Sequence, residues 1–125
     1  MEDSEDKLGK AISERLSGDI GYSFSSGRAA FATVLDLVET GAHIIASDNL
    51  SNDVYKIFES VRRRTSGLTF SYVKDFSQQT LKLVKQENTR LIWAESLKRP
   101  SFRVPDFASI TEFAKANELR SFCDN

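Results

Sequence analysis

The chain alternates regularly between two kinds of segment. Short apolar runs fall at residues 20–25, 43–47, 68–73, 91–94 and 119–123. Between them lie stretches whose apolar residues recur every three or four positions. The first kind suits strands and the second suits helices with one buried face. The spacing predicts helices over 7–16 (Leu8, Ile12, Leu16), 27–40, a segment carrying Val54, Ile57, Phe58 and Val61, 76–86, and 106–117. Ser17-Gly18 and Gly41 sit where helix ends are expected. The helix at 27–40 is apolar on most sides and is expected to be well buried. In the last helix Asp106 stands near the N-terminus, with Phe107, Ile110 and Phe113 expected inward. Strands joined through helices of this length form right-handed crossovers, so the fold class is α/β: three layers, α/β/α, around a mostly parallel sheet. The last strand has no helix after it, which leaves the pattern unfinished.

A chain of 125 residues is long enough for one modest domain. The formal net charge of -1 offers no basic excess for nucleic acid. Arg62-Arg63-Arg64 reads as cations at a helix C-terminus. The single cysteine, Cys123, excludes an internal disulfide and a cysteine metal cage, and its neighbours suggest a buried strand position. The one histidine, His43, opens a strand and reads as a core or edge residue rather than a metal ligand. The acidic start Met1-Glu2-Asp3-Ser4-Glu5-Asp6 is unlike a signal peptide, and no apolar run approaches membrane length. A cytoplasmic protein without membrane or nucleic-acid partners is expected.

Open α/β sheets bind ligands beyond the C-terminal ends of their strands. At the first such end, Gly21-Tyr22-Ser23-Phe24-Ser25-Ser26-Gly27-Arg28 runs directly into a helical pattern. A strand turning into a helix through small residues aims unpaired amides and the helix dipole at an anion, so this is a candidate phosphate cradle. An ordinary N-capped helix, with Ser25 or Ser26 as cap, fits the same residues. The later ends carry Asp48-Asn49, Lys74-Asp75, Glu95-Ser96 and Asp124-Asn125. Asp48 and Asp75 read as helix caps. Glu95 and Asp124 follow apolar strands directly, where a carboxylate is partly buried and needs a partner. Together these residues suggest a ligand with a phosphate and a basic or cationic ring.

The same residues carry a resemblance. Phe24-Ser25-Ser26-Gly27-Arg28-Ala29-Ala30, Thr40-Gly41-Ala42-His43-Ile44-Ile45, Leu91-Ile92-Trp93-Ala94-Glu95-Ser96 and Cys123-Asp124-Asn125 follow one another as motifs do in the Cys/Met-metabolism family of pyridoxal-phosphate enzymes. The chain resembles the cystathionine γ-lyases and γ-synthases of that family. The resemblance implies residues 1–125 to be a partial pyridoxal-phosphate-binding large domain of fold type I, truncated at both ends. It implies pyridoxal 5′-phosphate as cofactor, with Ser26, Gly27 and Arg28 at its phosphate through the cradle. It also implies Glu95 beside it and Asp124 pairing with its pyridine nitrogen, which makes the ring an electron sink. The Arg28 side chain is expected to face solvent.

Some family features have no match. The family's ring-stacking tyrosine aligns with Ser51, and Tyr55 lies one helical turn further on. The asparagine that contacts the ring hydroxyl aligns with Arg99, and the chain ends before the Schiff-base lysine, so no catalytic residue is assigned. Two expectations follow. Either the chain is part of a transsulfuration enzyme making or breaking C–S bonds of cystathionine-like amino acids, or it is a non-catalytic relative. The latter would bind cofactor weakly or associate with full-length subunits. An unrelated phosphate-binding domain is the third reading. The expected partners are an amino-acid substrate and a second subunit, either its own copy or a full-length relative. With two strands of the family sheet absent, exposed edges are expected to favour dimerisation or re-pairing.

Overall fold

A computed structural model describes residues 2–15, 27–95 and 105–124. The expected first strand at 20–25, the cap candidates Ser25 and Ser26, and the segment Ser96-Leu97-Lys98-Arg99-Pro100 lie outside the described residues. The chain divides into two compact units, Met1–Leu35 and Asp36–Asn125.

The first unit holds α1 (Glu2–Arg15) and most of α2 (Gly27–Asp36). Helix α2 is shorter and less buried than expected: Leu35 is buried, while Ala29, Ala30, Phe31, Ala32 and Val34 are half-buried. Its polar side is Thr33, whose hydroxyl donates back to the Ala29 carbonyl one turn earlier.

The second unit is an all-parallel sheet of β1 (His43–Ser47), β2 (Thr69–Val73), β3 (Thr89–Glu95) and β4 (Arg120–Asp124), in the order β2-β1-β3-β4. Strand β1 is buried along its whole length because it has neighbours on both sides and helices over both faces. The left-handed backbone at Gly41 (φ 82°) and Gly67 (φ 62°) makes the turns into β1 and towards β2, and the Gly41 amide donates to the Ser66 carbonyl.

One sheet face packs Ile45, Val73, Ile92 and Ala94 against Phe76 and Leu81 near and in α5 (Gln78–Val84) and Ile110, Phe113 and Ala114 of α6 (Phe107–Ala116). Alternation along a strand turns every second side chain to the other face. There Phe58 stacks on Phe70 at 4.5 Å between centroids and meets Trp93 edge-on at 5.0 Å. Phe58 lies in a π-helical stretch (Ile57–Arg62) that continues α3 (Asn52–Lys56) and leads into α4 (Arg63–Thr65). The wider π turn shifts the helix face. Val61, expected inward from its spacing to Phe58, is exposed, and Phe107 is also exposed at the start of α6. The Arg62-Arg63 pair does sit at the helix C-terminus, Arg62 on Asp36 and Arg63 on Glu59.

Cys123 is exposed, against the buried position expected from its neighbours. The reason is strand order: β4 pairs with β3 on one side only among the described residues, so alternate positions of β4 lack cover. Helix α6 ends in a Schellman turn, with Glu118 at φ 55° and the Leu119 amide donating to Ala114.

His43 lies at the N-terminal end of β1, 1% exposed. Its Nδ1 lies 2.7 Å from Thr89 Oγ1 and its Nε2 2.7 Å from Ser71 Oγ. Thr89 Oγ1 already accepts the Gln86 amide, so a neutral ring protonated on Nε2 satisfies every member: Thr89 donates to Nδ1 and Nε2–H donates to Ser71. Burial holds the imidazole below its ordinary value of 6.5. The unfolded chain therefore takes up this proton first as pH falls. Stability is expected to be full above about pH 6.5 and to decline below it, by at most about 1.4 kcal/mol per pH unit for one proton. Urea denaturation at pH 7.5, 6.5 and 5.5 checks this. His43→Gln should lack the decline over that interval, and an identical slope in the variant would refute the assignment.

Candidate functional site

The C-terminal ends of β1, β2 and β3 open on a cavity of about 430 Å³. Ser47, Lys74, Ser77, Glu95 and Asp106 are among its lining residues. One of the acids at this end is a helix cap: Asp106 accepts the Ser109 amide at 3.0 Å as N-cap of α6. Asp75 is not the cap its position had suggested: Ser77 caps α5 by accepting the Thr80 amide, and Asp75 braces that cap, accepting the Ser77 amide at 3.0 Å and the Thr80 hydroxyl at 2.8 Å. Asp48 does not cap α3, as its position had suggested: Ser51 does, its hydroxyl accepting the Val54 amide.

Glu95 and Asp124 behave differently. They close β3 and β4 as register partners, one pair beyond Ala94 and Cys123 and two beyond Trp93 and Phe122. Trp93 and Phe122 stand 4.2 Å apart between ring centroids, on the face covered by Phe58. Alternation therefore puts both carboxylates on that same face at the strand ends. Glu95 is only 6% exposed, and its Oε1 accepts the Ser51 amide at 3.1 Å. Asp124 is half-buried, and burial pushes its carboxyl above the ordinary 3.8. Burial, and then the charges of Asp124 and Glu95, push the Cys123 thiol up as well. A desolvated carboxylate with no compensating shift downward is a poor anion by itself and a good partner for a ligand's cationic N–H.

Gly27 opens α2 in the first unit, as the cradle reading requires. It is exposed, and among the described residues a Cβ there would meet the Phe31 ring at 3.8 Å, an ordinary contact. Ser26 and the Arg28 side chain lie outside the described residues. Tyr55 is half-exposed, 5.7 Å from Tyr72 between centroids. Tyr72 in turn donates to Glu59, which also receives Arg63. Thus Tyr55 belongs to a polar-aromatic cluster on the outer strand. No group of His, Cys, Asp and Glu able to hold a metal occurs among the described residues. Nor is any of their helices long and apolar enough to cross a membrane.

Sequence reasoning missed Ser51 as a site residue. Its capping role has a sequence signal, a serine just ahead of a helical pattern. Its bond to Glu95 spans 44 residues and has none.

Residues 2–125 match the family described as Cys/Met metabolism PLP-dependent enzyme. The chain is 34% identical over 116 residues to cystathionine beta-lyase of Coxiella burnetii, covering 93% of this chain and 30% of that one. It is 28% identical over 114 residues to cystathionine gamma-lyase of Bacillus subtilis, covering 91% and 30%. The crystal structure of cystathionine gamma-lyase from Lactobacillus plantarum complexed with L-serine superposes with a TM-score of 0.88 at 28% identity, over 94% of this chain and 31% of that one. The chain thus spans about three tenths of the length of these relatives.

Proposed function

The chain belongs to the Cys/Met metabolism PLP-dependent enzyme family, and we propose that it supplies part of a pyridoxal 5′-phosphate site acting on the C–S bonds of cystathionine-like amino acids. The observation that carries this reading is the paired register of Glu95 and Asp124 at the ends of β3 and β4. Asp124 fits the group: a half-buried carboxylate held above its ordinary pKa by burial suits a protonated ring nitrogen, from which it would accept a hydrogen bond.

When bound, pyridoxal phosphate supplies an electron sink for the carbanion that develops at a substrate's α-carbon. Asp124 would hold the proton on the ring nitrogen and so keep the ring electron-poor. The amides of Gly27 and Arg28 at the start of α2, with the Ser26 hydroxyl, would hold the phosphate, where the helix dipole adds to the attraction. Glu95 would stand beside the ring. The substrate would be a sulfur amino acid and the working form an oligomer in the cytoplasm, with residues 1–125 a partial cofactor-binding large domain.

A second reading is a non-catalytic relative that binds the cofactor weakly or associates with full-length subunits. Ser51 favours it. Its hydroxyl caps α3 and its amide is held by Glu95, so it offers no ring to cover the cofactor where the family resemblance places a tyrosine.

Titration of the chain with pyridoxal 5′-phosphate tests both. Trp93, the single tryptophan, lies two residues before Glu95 and reports binding by quenching. Saturable quenching is expected, and its absence would refute a cofactor site. Release of a 2-oxo acid from cystathionine by the saturated protein would support the enzyme reading, and binding without turnover would support the second.

A further inference from the structure

We propose that Glu95 is a positioning residue, whose carboxylate oxygen anchors the loop between β1 and α3 to the C-terminal end of β3. This rests on the cofactor reading above but concerns a contact within the chain itself. Glu95 is 6% exposed, and a carboxylate so buried needs hydrogen-bond donors. One donor is the backbone amide of Ser51, at 3.1 Å from Oε1 and far away in sequence. Ser51 is the N-cap of α3, in extended backbone (φ -63°, ψ 154°), so its amide and hydroxyl do separate work. The amide is tied to the sheet, and the hydroxyl is tied to the helix through the Val54 amide. Val54 and Phe58, both fully buried, then seat the helix on the face that carries Trp93.

Glu95 therefore joins three things: the loop that leaves β1, the wall of the 430 Å³ cavity, and the neighbouring strand end where Asp124 stands. A ring held by Asp124 would meet the Ser51 loop at a height that this bond helps to set. The work is done by an acceptor oxygen at the right reach, not by net charge. Two conservative variants separate these. Glu95→Gln keeps a carbonyl acceptor at the same reach and loses the charge. Glu95→Asp keeps the charge and is one methylene too short.

The first measurement needs no cofactor: hydrogen exchange of the Ser51 amide in the full chain. Protection is expected to persist in E95Q and to fall about tenfold in E95D, as for one lost hydrogen bond. The second is affinity for pyridoxal 5′-phosphate, read by Trp93 quenching. E95D should bind about tenfold more weakly than E95Q, whatever each loses against the parent. The reverse pattern, with E95D retained and E95Q lost, would make Glu95 a charge partner of the ligand and overturn the proposal. Equal behaviour of the two variants, whether both unchanged or both impaired, would overturn it too. If the parent chain fails to bind the cofactor, the cofactor reading falls, and the exchange measurement still decides the role of Glu95.

Discussion

Asp124→Asn is expected to weaken pyridoxal 5′-phosphate binding by about five- to tenfold while leaving the chain at least as stable as its parent. The first effect follows from replacing a charge-assisted hydrogen bond to a ring N–H⁺ by a neutral one, a difference of about 1–1.5 kcal/mol. The second follows from burial. The folded chain holds Asp124 above its ordinary 3.8, so the unfolded chain loses that proton at lower pH than the folded one does. Folding is therefore opposed by this group once pH rises above 3.8, and the opposition is complete above the folded value. Asparagine removes it. A residue that serves only to hold the fold together would show the opposite pairing, lower stability and unchanged affinity.

The same reasoning fixes a pH dependence. Parent affinity should fall as pH drops through the raised Asp124 value, because the protonated carboxyl no longer attracts a cationic N–H. The asparagine variant should lack that limb. Titration by Trp93 quenching from pH 8 down to 3.8, with thermal melts of both proteins at pH 7, makes the comparison. Unchanged affinity in Asp124→Asn would remove Asp124 from the site.

How much of this was readable before the structure depends on the distance over which each feature is decided. Strand β1 falls on residues 43–47 as expected, because a continuous apolar run flanked by Gly41 and Asp48 is a local signal. Asp106 as the cap of α6 is equally local. The π-helical turn is not. Nothing in the spacing of Phe58 and Val61 distinguishes it from an α-turn, and it arises where Phe58 must reach both Phe70 and Trp93. Cys123 was misplaced for a related reason: the run 119–123 reads as a strand from its own residues, but its cover depends on what lies beside β4 in the sheet. At the site, the partial burial of Glu95 and Asp124 was legible because each ends an apolar run. The bond from Glu95 to Ser51 was not, because it depends on the order β1-β3 bringing two distant segments side by side.

Phe58→Ala carries the largest expected cost in stability, about 3–5 kcal/mol. The ring is fully buried, stacked at an interplanar angle of 10° on Phe70 and edge-on to Trp93. Its removal leaves a cavity walled by two other aromatic rings, which cannot close on it without breaking their own contacts. Domains of this size are held by about 5–15 kcal/mol in all, so about a fifth of the stability or more rests on this side chain. Urea denaturation followed by far-ultraviolet circular dichroism is the check, because Trp93 touches Phe58 and its fluorescence would change even in the folded variant. Leu83→Ala, at a position 84% exposed on α5, should cost less than about 0.5 kcal/mol and serves as the comparison. Equal midpoints for the two variants would mean that the π-helical segment is not seated on the sheet by Phe58. A large loss confined to Phe58→Ala would tie that segment to the core, and through α3 and its cap Ser51 to the strand end that carries Glu95.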